Sequence, residues 1–441
     1  MTSSLPQVII ALLAGIALII LLTTKFKVHA FFALVLASFV VGLGVQIPAL
    51  QIVGLVKEGF GNIMKSLGLI IVLGTTLGVL LEHTGSTRVM AAYILKRVGD
   101  KHAAWAMSIT GFVVGLPIFC DSGYIVLSGL NKSIARRTGI SVVIMSVSLA
   151  TGLYSVHCLI PPHPGAAAAA GTLSVAYGKL IMIGIIVALP AMFVGHWWAK
   201  YAGKKIPFLR SADEEVIETG DELPSPVKAF LPVIVPILLI AMHSFVEGNE
   251  TYTPWQQMIL ILGDPVIALT MGVLLALNAG KNWKKNALGK LLTDAAEKAG
   301  GILVIIGAGG AFGAVLAATK IGEHFGNAVA LGSLGLLFPF LLSFILKTAQ
   351  GSSTVAIITS ASVVLPLLPA LHLDTENGRL LTVLAMGAGS MMISHANDAY
   401  FWVIAKFSGL DMKTMLRVYS VATVWMGIVS IVMIYLVSIF I

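Results

Sequence analysis

Long apolar runs separated by short polar stretches are the dominant pattern along this chain. An apolar run of about 20 residues is long enough to cross a bilayer as a helix. Such runs lie at 5–24, 28–47, 66–83, 140–157, 175–198, 227–246, 258–278, 300–318, 378–394 and 416–440. We therefore predict an all-α polytopic membrane protein with about 10 transmembrane helices. The first run begins without a preceding basic residue, and we interpret it as a retained helix rather than a signal peptide.

Two shorter apolar segments, 102–116 and 123–135, are joined by the residues LPIFCDSGY. Pro117 removes a backbone donor and Gly123 tolerates a positive φ, so the chain can turn between the segments. We predict a re-entrant hairpin whose tip contains Asp121, and the alternative is a water-facing loop with a solvated Asp. An ionisable residue in apolar surroundings is costly and indicates a functional site in a membrane protein.

A polar linker at 199–226, basic at first and then acidic with two prolines, separates a first half, 1–198, from a second half, 227–441. The halves share three landmarks in the same order: a GxxxG pair (Gly74 and Gly309), a short polar turn (121–124 and 350–354) and a polar break (157–165 and 394–398). Each half has five predicted crossings and one hairpin, so the second half would be inserted upside down. Inverted repeats with interrupted helices are typical of secondary transporters.

Composition supports the membrane assignment, because 57% of residues are hydrophobic and 11% are charged, against about 25% charged in soluble domains. The net charge of +8 is expected from basic cytoplasmic loops and does not indicate nucleic-acid binding. With the N-terminus outside, most Lys and Arg residues fall on the inner side together with the linker. We predict a multi-pass protein of the cell (plasma or inner) membrane.

The polar breaks carry the candidate chemistry. Non-helical backbone at membrane depth is tolerated only inside protein or beside a water-filled cavity, so two hairpin tips and two broken helices are expected to meet at one site. Helix N-termini pointing into that site would favour an anionic substrate.

In the first half, Asp121 is the candidate proton carrier, because apolar surroundings favour the neutral carboxyl; the alternative is a cap on a helix that begins at Ser122. His157 and His163 can contact a carboxylate or relay a proton, or they are simply buried and hydrogen-bonded. The two histidines, together with Cys120 and Cys158, also suggest a possible zinc site. Their spacing fits no standard ligand pattern, so we predict no metal and no cofactor.

In the second half, neutral donors suited to a polyol or hydroxy-acid cluster at the hairpin tip: Gln350, Ser352, Ser353 and Thr354. Their alternative role is hairpin capping. The polar run 394–398 is expected to line the site. Asp398 lies beside Asn397 among groups that would hold it ionised. Lys347 either offsets substrate charge or extends to the outer surface, and we favour the second role.

Four segments, LPIFCDSGYIVLS, HCLIPPHPG, QGSSTVA and SHANDAYFW, resemble the gluconate permease family of proton symporters, within the ion transporter superfamily, over nearly the whole chain. The resemblance implies proton-coupled uptake of gluconate or a related small hydroxy-acid anion, by a homodimer whose transport domain moves past a fixed scaffold. It implies substrate contacts at Ser122, Gly123, His157, Pro162, His163, Gln350, Gly351, Ser352, Ser353, Thr354, His395 and Asn397, and proton coupling at Asp121 and Asp398. Several members carry Glu-Val in place of Asp121-Ser122, which leaves the particular substrate open.

Two other functions compete with proton symport. Oxygens of Ser, Thr and Asn at the breaks can hold Na⁺, so a sodium-coupled carboxylate symporter remains an alternative. An intramembrane enzyme is the other class, but the chain contains no HExxH, GxSxG or Walker sequence. We therefore predict a transporter that binds a small anion and protons in a lipid bilayer.

Overall fold

The computed structural model describes residues 4–206, 223–246, 252–280, 285–320, 333–395 and 398–441, and every regular element in these ranges is helical, which confirms the all-α prediction. The first half contains α1 (Leu5–Thr24), α2 (Ala30–Gly44), α3 (Ala49–His83), α4 (Ser86–Val98), α5 (Ala103–Gly115), α6 (Cys120–Thr138), α7 (Val142–Leu159), α8 (Pro164–Leu173) and α9 (Tyr177–Gly203). The second contains α10 (Pro226–Val246), α11 (Pro254–Leu262), α12 (Pro265–Ala279), α13 (Lys285–Ala318), α14 (Leu337–Gln350), α15 (Ser353–Val364), α16 (Glu376–Met391), α17 (Ala399–Ser408) and α18 (Met412–Val437), the last with a π-helical turn at Leu416–Ser420.

Within the described ranges, seven helices are long and apolar enough to cross a membrane, or eight if α11 and α12, bent by 66° at their junction, form one span. The sequence predicted about 10. The difference arises partly from α2 and α16, which have 15 and 16 residues. At 1.5 Å per residue such helices cover about 22–24 Å, less than the roughly 30 Å of a bilayer core. The number of crossings stays a prediction.

Four features occur in the same order in both halves, although α4 has no counterpart among the described residues of the second half. Long helices α3 and α13 have 35 and 34 residues. Each is followed by a helical hairpin (α5 with α6, α14 with α15), then by an interrupted helix (α7 with α8, α16 with α17) and a final long helix (α9, α18). The inverted relation of the halves stays a prediction. Of the predicted linker, residues 207–222 lie outside the described residues.

Helices at the breaks begin earlier in the chain than the sequence indicated. The first hairpin breaks at 116–119, and Asp121 and Gly123 lie in the first turns of α6 instead of in a non-helical tip. An acidic residue is favourable in a first helical turn because it faces unbonded N–H groups. Pro164 likewise starts α8 instead of interrupting a helix, since Pro is well tolerated at the first helical position.

The second hairpin turns at Gly351, whose φ of +85° is a left-handed conformation that favours glycine. Ser352 then caps α15 by accepting a hydrogen bond from Val355 N at 3.3 Å. Asp398 caps α17 in the same way, accepting from Tyr400 N at 3.0 Å. Both caps are local sequence features that end a break and start a helix.

Glycines allow the helices around the breaks to pack closely. A Cβ at Gly59 would meet the Gly310 carbonyl oxygen at 2.4 Å, so α3 and α13 touch backbone to backbone. Further along α3, a Cβ at Gly74 would lie 3.1 Å from the Pro162 side chain, and one at Gly78 would lie 3.0 Å from the Pro117 carbonyl oxygen. The glycine face of α3 therefore holds both the first hairpin tip and the α7–α8 break.

Candidate functional site

Four helix N-termini meet at one cavity of about 400 Å³. Its wall includes Asp121 and Ser122 from α6, Pro164 from α8, Ser353 and Thr354 from α15, and Ala399 and Tyr400 from α17. A helix N-terminus has unbonded N–H groups and a partial positive charge. The breaks that the sequence placed in four separate segments thus line a single cavity, and helix N-termini are favourable surroundings for a negatively charged group.

Gln350 in the cavity wall has the clearest unmet hydrogen-bonding capacity. Its side-chain nitrogen and oxygen are both buried, and neither has a hydrogen-bond partner in the part of the chain that the structure describes. Buried polar groups in proteins are nearly always hydrogen-bonded. The amide carries both donors and an acceptor, so its hydrogen-bonding capacity is unmet among the described residues.

Asp121 lines the cavity from the opposite half of the chain. Among the described residues, its carboxylate accepts a single weak hydrogen bond, from the Cys120 thiol, with 3.9 Å between Sγ and Oδ1. The alternative role as a helix cap is wrong, because α6 begins at Cys120 and no side chain caps it. Asp121 therefore keeps most of its hydrogen-bonding capacity for the cavity.

Lys347 is not at the surface, and the prediction that it extends outward is wrong. Its side chain is 0% exposed, and Nζ donates to Asp398 Oδ2 and to the Gly351 carbonyl oxygen, both at 2.7 Å. The same Oδ2 accepts from the Ser394 hydroxyl. The buried carboxylate and the turn carbonyl hold the ammonium inside the protein, because an unpaired charge there would be very costly.

This ion pair connects the second hairpin to the α16–α17 break. Asp398 receives three hydrogen bonds, from Lys347, Ser394 and the Tyr400 backbone. Hydrogen bonds that involve a charged group are shorter and stronger than neutral ones. Of the two candidate coupling groups, Asp398 is thus committed to an internal network, whereas Asp121 is not.

The two candidate histidines have different surroundings. The His157 ring lines the cavity, stacks on Tyr154 with ring centroids 6.3 Å apart, and has no hydrogen-bond partner at Nδ1 among the described residues. His163 lies behind the wall, 1% exposed, and its Nε2–H donates to the Gly115 carbonyl oxygen at 2.6 Å. His163 precedes α8 just as Asp398 precedes α17. Each side chain binds the C-terminal end of the first hairpin helix in its own half: His163 binds α5 and Asp398 binds α14.

Other predicted contacts lie away from the cavity wall. Gly123 faces Leu153, Pro162 packs on α3, and the His395 ring lies 3.3 Å from the Thr348 carbonyl oxygen. Asn397 lies outside the described residues. The cavity brings together Asp121, Ser122, His157, Gln350, Gly351, Ser352, Ser353, Thr354 and Asp398.

Sequence reasoning missed two tyrosines in the wall. The rings of Tyr154 and Tyr400 stack with centroids 5.7 Å apart, and their hydroxyls donate to the carbonyl oxygens of Ser390 and Ala150. Each lies within three residues of a polar break residue, His157 or Asp398, and that spacing was the available signal. Together they form an aromatic wall between the two halves.

Comparisons with known proteins agree with this architecture. The family model described as GntP family permease matches residues 7–440. A gluconate permease of Pseudomonas aeruginosa is 34% identical over 97% of this chain and 96% of its own length. The D-serine transporter DsdX of Escherichia coli O6:H1 is 31% identical over 98% of both chains.

Among solved structures, the YdaH transporter of Alcanivorax borkumensis has a similar fold, with a TM-score of 0.65 and 16% identity, covering 89% of this chain and 90% of that one. The related proteins are permeases and transporters rather than enzymes. With a family match from end to end and helices that can cross a membrane, this chain is a multi-pass membrane transporter and belongs to the GntP family of permeases.

Proposed function

We propose that this permease imports gluconate or a related small hydroxy-acid anion together with protons, and that Asp121 is the coupling group. The observation that carries the proposal is the charge at the cavity. Among the described residues there, Asp121 and Asp398 are acidic, and Lys347 offsets one of them. With Asp121 ionised the site has an excess negative charge that repels an anion; with Asp121 protonated it is neutral.

Proton binding and anion binding would therefore favour each other. Once Asp121 is neutral, the four helix N-termini supply the remaining field, and that field attracts a carboxylate. Two charges that enter together and cancel avoid placing an uncompensated charge in a low-dielectric site. This mutual preference is the physical basis for symport.

The polar groups of the wall suit a hydroxylated substrate. The cavity volume of about 400 Å³ lies in the range of roughly 300–1,000 Å³ that is usual for small-molecule sites. Ser122, Ser353, Thr354 and Gln350 offer neutral donors and acceptors for hydroxyls. The relatives named for gluconate and for D-serine support a substrate that combines a carboxylate with hydroxyl groups.

The proposal extends to the whole assembly. We place the chain in the cell membrane as a homodimer, with inverted halves 1–198 and 227–441 joined by a cytoplasmic linker. The fixed scaffold would contain 5–24, 28–47, 227–246 and 258–278, none of which contributes a residue to the cavity wall. The hairpins and broken helices, tied together by His163 and by the Lys347–Asp398 pair, would move as the transport domain.

Uptake into proteoliposomes tests this function. With a panel of sugar acids and no sodium, a pH gradient alone should drive accumulation of gluconate or a close relative. Asp121→Asn, which imitates the protonated state, should still exchange substrate across the membrane but should not accumulate it. Accumulation that requires a sodium gradient would favour the sodium-coupled alternative, and pH-driven accumulation by Asp121→Asn would move the coupling role to another group.

A further inference from the structure

A second, much smaller cavity lies on the other side of the first hairpin tip. Phe119 and Ser122 line both cavities, so these two residues separate them. The small cavity has a volume of about 10 Å³, which is room for about one water molecule. Its wall includes Thr75, Glu82 and Lys298. A site of this size cannot hold the substrate, but it can hold a water that bridges polar groups.

One face of α3 supplies two polar side chains of this small cavity, Thr75 and Glu82. Thr75, Val79 and Glu82 are spaced at i, i+4 and i+7, and residues at that spacing share a helix face. Thr75 Oγ1 is buried and has no hydrogen-bond partner in the described ranges. Buried hydroxyls are normally bonded to protein or to ordered water. The cavity next to it is therefore a place for a water that Thr75 would bind.

Glu82 is a half-buried carboxyl group that takes no part in the substrate site. The charged and titratable groups facing it are Lys298 on α13 and His83 on its own helix. Glu82 and Thr75 line the same small cavity. Lys298 is exposed, so this end of the cavity lies close to the surface.

The protein surface next to Glu82 and Lys298 is rich in basic residues. Helix α3 ends at His83, and α4 follows with exposed Arg88, Lys96 and Arg97. Exposed bases next to the ends of membrane helices are typical of the cytoplasmic side. A proton that leaves the substrate site past Phe119 and Ser122 would thus arrive on the side where an importer must release it.

We propose that Glu82 is the proton acceptor on the route by which the proton leaves Asp121. The proton leaves the Asp121 carboxyl, passes along the hydroxyls of Ser122 and Thr75 and the bridging water, and binds the Glu82 carboxylate, which gives it to bulk water. Asp121 is again ionised, and Glu82 returns to its starting state. This inference rests on the proposed proton coupling and assigns its exit.

The test compares Glu82→Gln with the parent in proteoliposomes that enclose a pH-sensitive dye. Substrate-coupled proton movement should slow by about 100-fold, the low end of what a positioned proton-transfer group contributes, whereas counterflow of substrate without a pH gradient should stay within about twofold. Unchanged counterflow also shows that the variant is folded. Glu82→Asp should restore much of the proton movement, and Thr75→Val should slow it.

Two controls lie on the same helix. Glu58→Gln removes an exposed carboxyl, and Thr76→Val removes a hydroxyl already bonded to the Val72 carbonyl oxygen; both should behave like the parent. Parental proton movement in Glu82→Gln overturns the route while leaving coupling at Asp121 intact. Equal loss of counterflow and proton movement in that variant also overturns it, because the role would then be structural. A parent that moves no protons with its substrate overturns the proposed function itself.

Discussion

Breaking the Lys347–Asp398 ion pair should be costly because the pair is buried. Its charged atoms lie 2.7 Å apart, with the side chains 0% and 9% exposed. At an effective dielectric constant of about 20, two unit charges at this distance attract by about 6 kcal/mol. Bringing both ions out of water costs several kcal/mol each, so the net contribution of the pair to stability is modest. Removing one partner is nevertheless costly, because it leaves the other charge buried and unpaired.

Lys347→Met keeps most of the length of the side chain and removes the charge. Asp398 would then stay buried as a carboxylate with donors only from Ser394 and the Tyr400 backbone. We expect this substitution to reduce the free energy of unfolding by about 3–5 kcal/mol, which is the usual cost of leaving one charge of a buried pair without its partner. Unfolding in mixed micelles, followed by tryptophan fluorescence, measures the change.

The chain contains a matched control. The Arg137–Asp100 pair has the same 2.7 Å separation, but both side chains are 59% exposed. Arg137→Met should therefore cost only about 0.2–1 kcal/mol. Adding Asp398→Asn to Lys347→Met should recover much of the loss, because the amide is neutral and still caps α17. Equal costs for the two pairs, or strictly additive costs for Lys347→Met and Asp398→Asn, would refute the reasoning.

Three further predictions concern the cavity, the packing and the topology. Gln350→Leu should weaken substrate binding by about 0.5–3 kcal/mol without lowering stability, because it removes an amide with no partner in the described structure; binding by the Gln257→Leu control should match the parent. Gly310→Ala should destabilise the protein by about 1–3 kcal/mol, since its Cβ would lie 2.6 Å from the Gly59 carbonyl oxygen, whereas Gly301→Ala has open space and should not; equal melting temperatures would contradict this. With Cys120 and Cys158 replaced, an impermeant maleimide should label Asn377→Cys but not Lys101→Cys in intact cells, and the reverse pattern would overturn the predicted orientation.

The sequence determined the class of the protein and the position of its breaks along the chain. Apolar runs of this length predict membrane helices, because a helix satisfies all of its backbone hydrogen bonds within one segment and lipid offers no other partners. Proline, glycine and short polar runs located all four breaks, from LPIFCDSGY to SHAND, to within a few residues. It could not give helix starts accurately, since Asp121 and Pro164 are as compatible with a first helical turn as with a break.

Tertiary structure decided which residues of each break face the cavity. Pro162, His163 and Pro164 are consecutive, yet only Pro164 lines it, because α3 and the Gly115 carbonyl fix the orientation of the other two. Lys347 shows the same limit more clearly. A lysine near the end of an apolar helix extends to the surface unless an anion lies within reach, and its anion, Asp398, is 51 residues away along the chain. The local sequence pattern predicts which face of a helix a residue occupies. Its charge partner depends on how helices that are distant in the sequence pack together.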